Sequence, residues 1–235
     1  MEDITAIVRD YEALSKRSDG IDIETNKERV KSISKELKRT VNAYGLSSLS
    51  AIQIGEPVRM FAINFRGDIR IFVNPLIVEA NGFELSEETC SSIPNKTYLV
   101  PRSVDITLNY QTTSGRMRSH KFIGMAAKTV LHCMDHLDGV LLSDIGLEID
   151  DDYRNASEEE KVEVIDAYMD AIKNASTRLN EEIQEDEDLR KMSDAVDFMQ
   201  KVQRGEVKVI KEQITLKRDG EQSSEDTADT GQEGV

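Results

Sequence analysis

Two histidines four residues apart, His132 and His136, lie in an apolar stretch that Gly124 opens and Gly139 closes. At helical spacing they leave one face about a turn apart, so both imidazoles can reach a single metal ion. A helix carrying such a pair has to sit centrally, with neighbouring elements supplying the remaining ligands. The better-known form of the pattern is H-E-x-x-H, in which the Glu after the first His serves as general base toward the attacking water. Cys133 stands at that position here. The chain thus carries the metal half of a hydrolase motif with its base half altered.

The segments before this helix read as a sheet and its cover. A short amphipathic piece, Ile4 to Leu14, precedes the turn signal Ser18-Asp19-Gly20. From Thr25 to Tyr44, Val30, Ile33, Leu37 and Val41 recur at spacings of three and four, which predicts an amphipathic helix covering a sheet. Strands are expected at Val58 to Ile63 and Ile69 to Val73, a hairpin across Phe65 to Asp68. Asn74-Pro75 is expected to end the second of these, with Leu76 to Val78 beginning another before the Asn81-Gly82 turn. Further strands follow from Glu84 to Pro94, at Tyr98 to Pro101, at Val104 to Tyr110 and at Arg116 to Ile123, then the helix Met125 to Leu137. The expected fold class is α+β, with mostly antiparallel sheets around one central helix.

Charge divides the chain. Up to residue 147 there are 18 Lys and Arg against 19 Asp and Glu; from residue 148 there are 12 against 26. We therefore expect a domain at 1–147, an acidic helical extension at 148–204 and a strand-like segment with an acidic, disordered tail at 205–235. In the extension, Ser157 before Glu158-Glu159-Glu160 marks a helix start. A second helix is expected over Leu189 to Val202, and Val207 to Leu216 alternates like a strand. No apolar run reaches the roughly 20 residues that cross a bilayer, and the start Met1-Glu2-Asp3 is unlike a signal peptide. Two cysteines, Cys90 and Cys133, do not make a secreted disulfide framework. The expectation is a soluble, cytoplasmic protein.

A metal needs a third protein ligand. Cys90 is the candidate, in Glu87-Glu88-Thr89-Cys90-Ser91-Ser92-Ile93-Pro94. This stretch resembles the second motif of the peptide deformylases, EGCLS continuing into Ile-Pro, with Thr89 in place of Gly and Ser91 in place of Leu. Their third motif, HExDH followed by Leu and a nearby Gly, matches at His132, Asp135, His136, Leu137 and Gly139. Leu99-Val100-Pro101-Arg102 looks like the segment after motif two. Their first motif, GxGLAAxQ, meets this chain at Leu49, Ala51 and Gln53, while Leu46 and Ser48 replace its two glycines.

The resemblance implies a deformylase-like fold with an acidic helical extension, and one divalent metal ion, Fe2+ or Zn2+, on Cys90, His132 and His136. It implies that Gln53 and the backbone N–H of Ser91 would hold the oxyanion formed when water attacks a formyl carbonyl. Ser48 is expected to narrow the pocket or obstruct a bound peptide backbone. Arg102 would fix the site loop or the substrate, or form a surface ion pair. His120 reads as a surface strand residue. Cys133 in place of the base would cost roughly 10²- to 10⁴-fold in rate. It could be a weak base, a fourth ligand, or, without metal, the disulfide partner of Cys90. The implied function is hydrolysis of N-formylmethionyl peptides or nascent chains with weak or lost activity. The alternative is an inactive metal-binding protein of the same fold that binds peptides or partners. The acidic extension reads as a solvated solubilising segment or as a docking surface for a basic protein; its charge argues against nucleic acid.

Overall fold

The computed structural model describes residues 4–185, with side chains as far as residue 174. The expected helix at 189–202, the strand at 207–216 and the tail from Lys217 lie outside the described residues. In order, the elements are α1 (Tyr11–Leu14), α2 (Lys27–Tyr44), β1 (Ser48–Ser50), a 3-10 turn (Ala51–Ile54), β2 (Met60–Phe65) and β3 (Asp68–Asn81). They continue with β4 (Glu84–Cys90), β5 (Ile93–Arg102), β6 (Asp105–Gln111), β7 (Met117–Ile123) and α3 (Met125–Asp138). Last come α4 (Leu142–Ile145), β8 (Leu147–Glu148), α5 (Asp151–Asn155) and α6 (Glu158–Glu185).

Two antiparallel sheets result, one in the order β1-β2-β3-β6-β7 and the other β4-β5-β8. The α+β class and the antiparallel sheets about a central helix are what the periodicities predicted. The apolar stripe of α2, Val30, Ile33, Leu37 and Val41, is buried against Leu49, Met60 and Ala62 of the larger sheet. In a second core, Ala127, Val130, Met134 and Leu137 of α3 pack on Phe61, Phe72, Leu108 and Phe122 of that sheet. The third core joins Cys90 to Tyr98, Val100 and Leu142. So α3 is held by the five-stranded sheet, and the other sheet delivers Cys90 to its flank.

Two local expectations change. Asn74-Pro75 does not end a strand; β3 runs unbroken through it. The register against β6 shifts between Val73 and Leu76, so Pro75 falls in a bulge where its missing N–H breaks no ladder bond. Asn74 takes the left-handed φ of 47° there, and its side chain bonds both the N–H and the carbonyl of Ile21. Likewise Ile93-Pro94 opens β5, because β4 already turns at Ser91-Ser92. Of Ile4 to Leu14, only Tyr11–Leu14 is helical. The arm before it is extended, and the Val8 N–H donates to the Gln53 carbonyl at 2.8 Å.

Past the charge boundary, Leu147 and Glu148 pair with Leu99 and Tyr98 of β5. The start of α6 is a reciprocal cap: Glu160 N–H donates to Ser157 Oγ and Ser157 N–H to Glu160 Oε2. The Tyr168 hydroxyl donates to the carbonyl of Ile145. Among the described residues no helix is long and apolar enough to cross a membrane.

Candidate metal centre

Cys90 ends β4, and His132 and His136 lie in the last two turns of α3. Their ligand atoms all fall within 4.8 Å of one another. Cys90 Sγ is 3.2 Å from His136 Nε2, and the two rings meet edge to face at 5.0 Å. His132 Nδ1 is 3.1 Å from Glu88 Oε2, which fixes the ring and leaves Nε2 free to ligate. His136 is 2% exposed and its Nδ1 has no hydrogen-bond partner among the described residues, so no bond on that side of the ring orients it.

Behind His132 lies a buried charge network. Arg102, 5% exposed, donates through Nε and Nη2 to the two oxygens of Glu88 at 2.7 and 2.9 Å. Its Nη1 is 2.7 Å from Asp135 Oδ2. Burial would raise the Glu88 pKa, but Arg102 and His132 outweigh it and hold the carboxyl at about 2. Burial likewise works against ionisation of Cys90, yet hydrogen bonds from His132 and His136 bring the thiol down to about 5. For His132 burial opposes charge, while Cys90 and Glu88 more than offset it and raise the imidazole to about 9. Burial raises Asp135 against the pull of Arg102.

One thiolate-prone sulfur and two imidazoles, converging with one side left open, suit a borderline-soft divalent ion such as zinc or ferrous iron. The open side is a pocket of about 270 Å³ bordered by Ser48, Gln53, Glu88, Ser91, Lys128 and His132. Gln53, 3% exposed, caps its own turn through Oε1 and the Ser50 N–H, and its Nε2 donates to Ser92 Oγ at 3.0 Å and meets Cys90 Sγ at 3.7 Å. Ser48 and Ser91 are on the pocket wall; Arg102 is not. Cys133 is 1% exposed among the apolar residues around α3, and burial pushes its thiol up to about 12 against hydroxyl contacts from Ser48 and Ser50. It is neither in the ligand cluster nor bonded to Cys90, since both cysteines are free thiols. The fold therefore brings the three ligands, Gln53, Ser48 and Ser91 together, buries Arg102 behind His132 against Glu88 and Asp135, and buries Cys133 in the core between α3 and the five-stranded sheet.

Residues 4–149 match the family model described as polypeptide deformylase, a span covering more than half the chain. The chain belongs to the peptide deformylase family. A peptide deformylase of Dictyoglomus thermophilum is 32% identical over 126 residues, 54% of this chain and 82% of that protein. The peptide deformylase of Thermotoga maritima superposes with a TM-score of 0.57 at 28% identity, over 61% of this chain and 98% of that one. The Met-Ala-Ser-bound class I type b peptide deformylase of Acinetobacter baumannii has the same fold, with a TM-score of 0.56 at 24% identity, over 62% of this chain and 100% of that one.

The deformylase motifs in the sequence did not reveal every participant. Glu88 and Asp135 were legible only as motif matches, and their shared partner Arg102 is brought to both by the packing of β5 beside β4 and α3. Lys128 and Thr129 carried a signal that went unread: they precede His132 by four and three residues and so share its helix face.

Proposed function

We propose that this deformylase-family chain holds one divalent metal ion on Cys90, His132 and His136 and binds N-formylated peptides beside it. On this reading turnover is weak or lost. The observation that carries it is the convergence of the three ligand atoms within 4.8 Å beside a pocket, while position 133 holds a thiol buried in the core and no carboxylate.

When bound, the metal would supply Lewis-acid polarisation and a more acidic water. The chain's own residues do the rest. The carboxylate of Glu88, neutralised by Arg102, holds His132 in place, so Arg102 acts as a positioning residue. Gln53 Nε2 donates to Ser92 Oγ and lies 3.5 Å from Ser91 Oγ at the pocket wall, so in exchange for that longer contact it would, with the backbone N–H of Ser91, bind the carbonyl oxygen as it gains charge. The pocket lies between β1 and β4, each an edge strand of its sheet, so an extended peptide can pair with free backbone groups there. The solved Acinetobacter baumannii protein of the same fold is bound to Met-Ala-Ser, which supports peptide binding here.

Proton transfer is where this site departs from its relatives. Glu88 and Asp135 are committed to Arg102, and Cys133 faces the core. A rate deficit of about 10²- to 10⁴-fold follows from the missing general base. The test is formyl-Met-Ala-Ser hydrolysis by the metal-loaded protein, with metal content of Cys90→Ser measured beside wild type. Turnover as fast as a relative with the full HExDH motif would overturn the impaired-catalysis reading. Unchanged metal content in Cys90→Ser would overturn the ligand assignment.

A further inference from the structure

The strand β7 is a free edge of the five-stranded sheet. All of its residues are exposed except Phe122, and among the described residues it pairs only with β6. Its ladder shows which backbone groups are open. The Thr112 N–H donates to the Arg116 carbonyl at 2.9 Å, and the Gly124 N–H to the Val104 carbonyl at 2.8 Å. Hydrogen-bonded pairs alternate along an antiparallel ladder, so the even-numbered residues between these bonds pair with β6, and the backbone of Met117, Ser119, Lys121 and Ile123 faces outward. Side chains alternate as well. Arg118 and His120 share a face with the buried Phe122, whereas Met117 and Ile123, 63% and 64% exposed, are on the other.

Charge on this edge runs against the rest of the molecule, whose net charge is -15. Lys121 reaches Asp105 at 3.1 Å, but the guanidinium groups of Arg118 and of Arg116, just before β7, have no ion-pair partner among the described residues. Cations on an edge keep like strands apart, and a second copy would bring the same arginines into one interface. A segment rich in carboxylates is drawn to them instead. We propose that β7 is a docking edge for an extended acidic segment of another protein, which joins the sheet as a sixth strand. Its carboxylates face Arg116 and Arg118, at positions outside the new hydrogen-bonded pairs, where facing side chains come closest. Between them, apolar residues cover Met117 and Ile123. A nucleic acid would meet the same arginines, but its backbone offers no matching ladder to the open N–H and carbonyl groups.

The test is fluorescence anisotropy of the full chain with two labelled peptide amides of one composition, the alternating Val-Glu-Val-Glu-Val-Glu-Val and the segregated Glu-Glu-Glu-Val-Val-Val-Val. Wild type should bind the alternating peptide about tenfold more tightly, because only that order puts every glutamate on the Arg118 face of an added strand. Arg116→Ser with Arg118→Ser should weaken its binding roughly tenfold, and added salt should weaken wild type in the same direction. Ser119→Pro removes an N–H that β6 does not use and should abolish binding, with the circular dichroism spectrum unchanged. Equal affinity for the two peptides overturns the proposal, as does wild-type affinity in either folded variant or no measurable binding of the alternating peptide. Tighter binding of an oligouridylate would make the edge a nucleic-acid surface and overturn it too. So would a dimer of the chain, seen by sedimentation, that Ser119→Pro dissociates, since the occupant would then be a second copy.

Discussion

Cys133 and Ser48 are best understood as a pair. Both depart from the deformylase motifs, one where the base would be and one where a glycine would be, and the hydroxyl of Ser48 lies against the thiol of Cys133. A serine side chain thus occupies space beside the shorter residue that a longer carboxylate would need. Cys133→Glu alone therefore crowds a glutamate against Ser48 and Ser50 and should restore little hydrolysis. Cys133→Glu with Ser48→Gly is expected to raise the rate constant for formyl-tripeptide hydrolysis by roughly 10²-fold or more over wild type. Equal rates for the single and double variants, measured at saturating metal, would show that the two positions act independently. At the same scale, Glu88 is the bond that orients His132, whereas His136 has no such bond. Glu88→Gln removes the charge facing both His132 and Arg102, and zinc affinity should fall about 10- to 100-fold; a competition titration with a chromophoric chelator reads this directly. The ligands themselves were legible in the sequence because a helix fixes the spacing of His132 and His136 and a motif marks Cys90. The Arg102 network was not, because 14 residues separate Glu88 from Arg102 and the β4–β5 register sets Arg102 opposite Glu84, so the contact is made only by the Arg102 side chain reaching along the hairpin.

Among the elements, α3 was read correctly at both ends because glycine marks its limits, and the reason is physical at Gly139. That residue closes the helix at φ 76°, and a Cβ there would run into the backbone carbonyl of Ser15. The Ser18 N–H donates to the Leu137 carbonyl nearby at 2.8 Å, so the end of the metal-binding helix is clamped by the loop after α1. Gly55, at φ 83° with open space around it, has the conformational demand without the close approach. Gly55→Ala should cost about 1 kcal/mol. Gly139→Ala should cost more, roughly 2 kcal/mol or above, since the backbone it meets cannot swing aside. Urea unfolding of the two variants measures the difference, and equal losses would mean the Ser15 contact relaxes freely. The element that misled was β3. Asn-Pro reads as punctuation from local propensity, yet a bulge absorbs the proline when cross-strand pairing with β2 and β6 continues on either side. Likewise, the polar wall of Ser86, Lys128 and Thr129 comes from two elements far apart in sequence, and only their packing shows it as one surface.

At the scale of the molecule, the ligands come from different layers. Cys90 belongs to the three-stranded sheet, while both histidines ride on the helix packed against the five-stranded one. An ion held by all three is therefore a cross-link between the two sheets, and its binding free energy adds to the folding free energy of the whole unit. At free metal about a thousandfold above the dissociation constant the gain is about 4 kcal/mol. With a shift of about 2–4 °C per kcal/mol for a domain of this size, chelation should lower the melting temperature of wild type by roughly 10 °C. Calorimetry with and without a chelator measures the shift. Cys90→Ser provides the decisive comparison, because it leaves the helix and its two histidines in place but removes the only ligand from the smaller sheet. Its melting temperature should be lower than that of metal-loaded wild type and nearly insensitive to the chelator. If chelation shifts the variant as far as wild type, the ion is held by α3 alone and does not join the sheets.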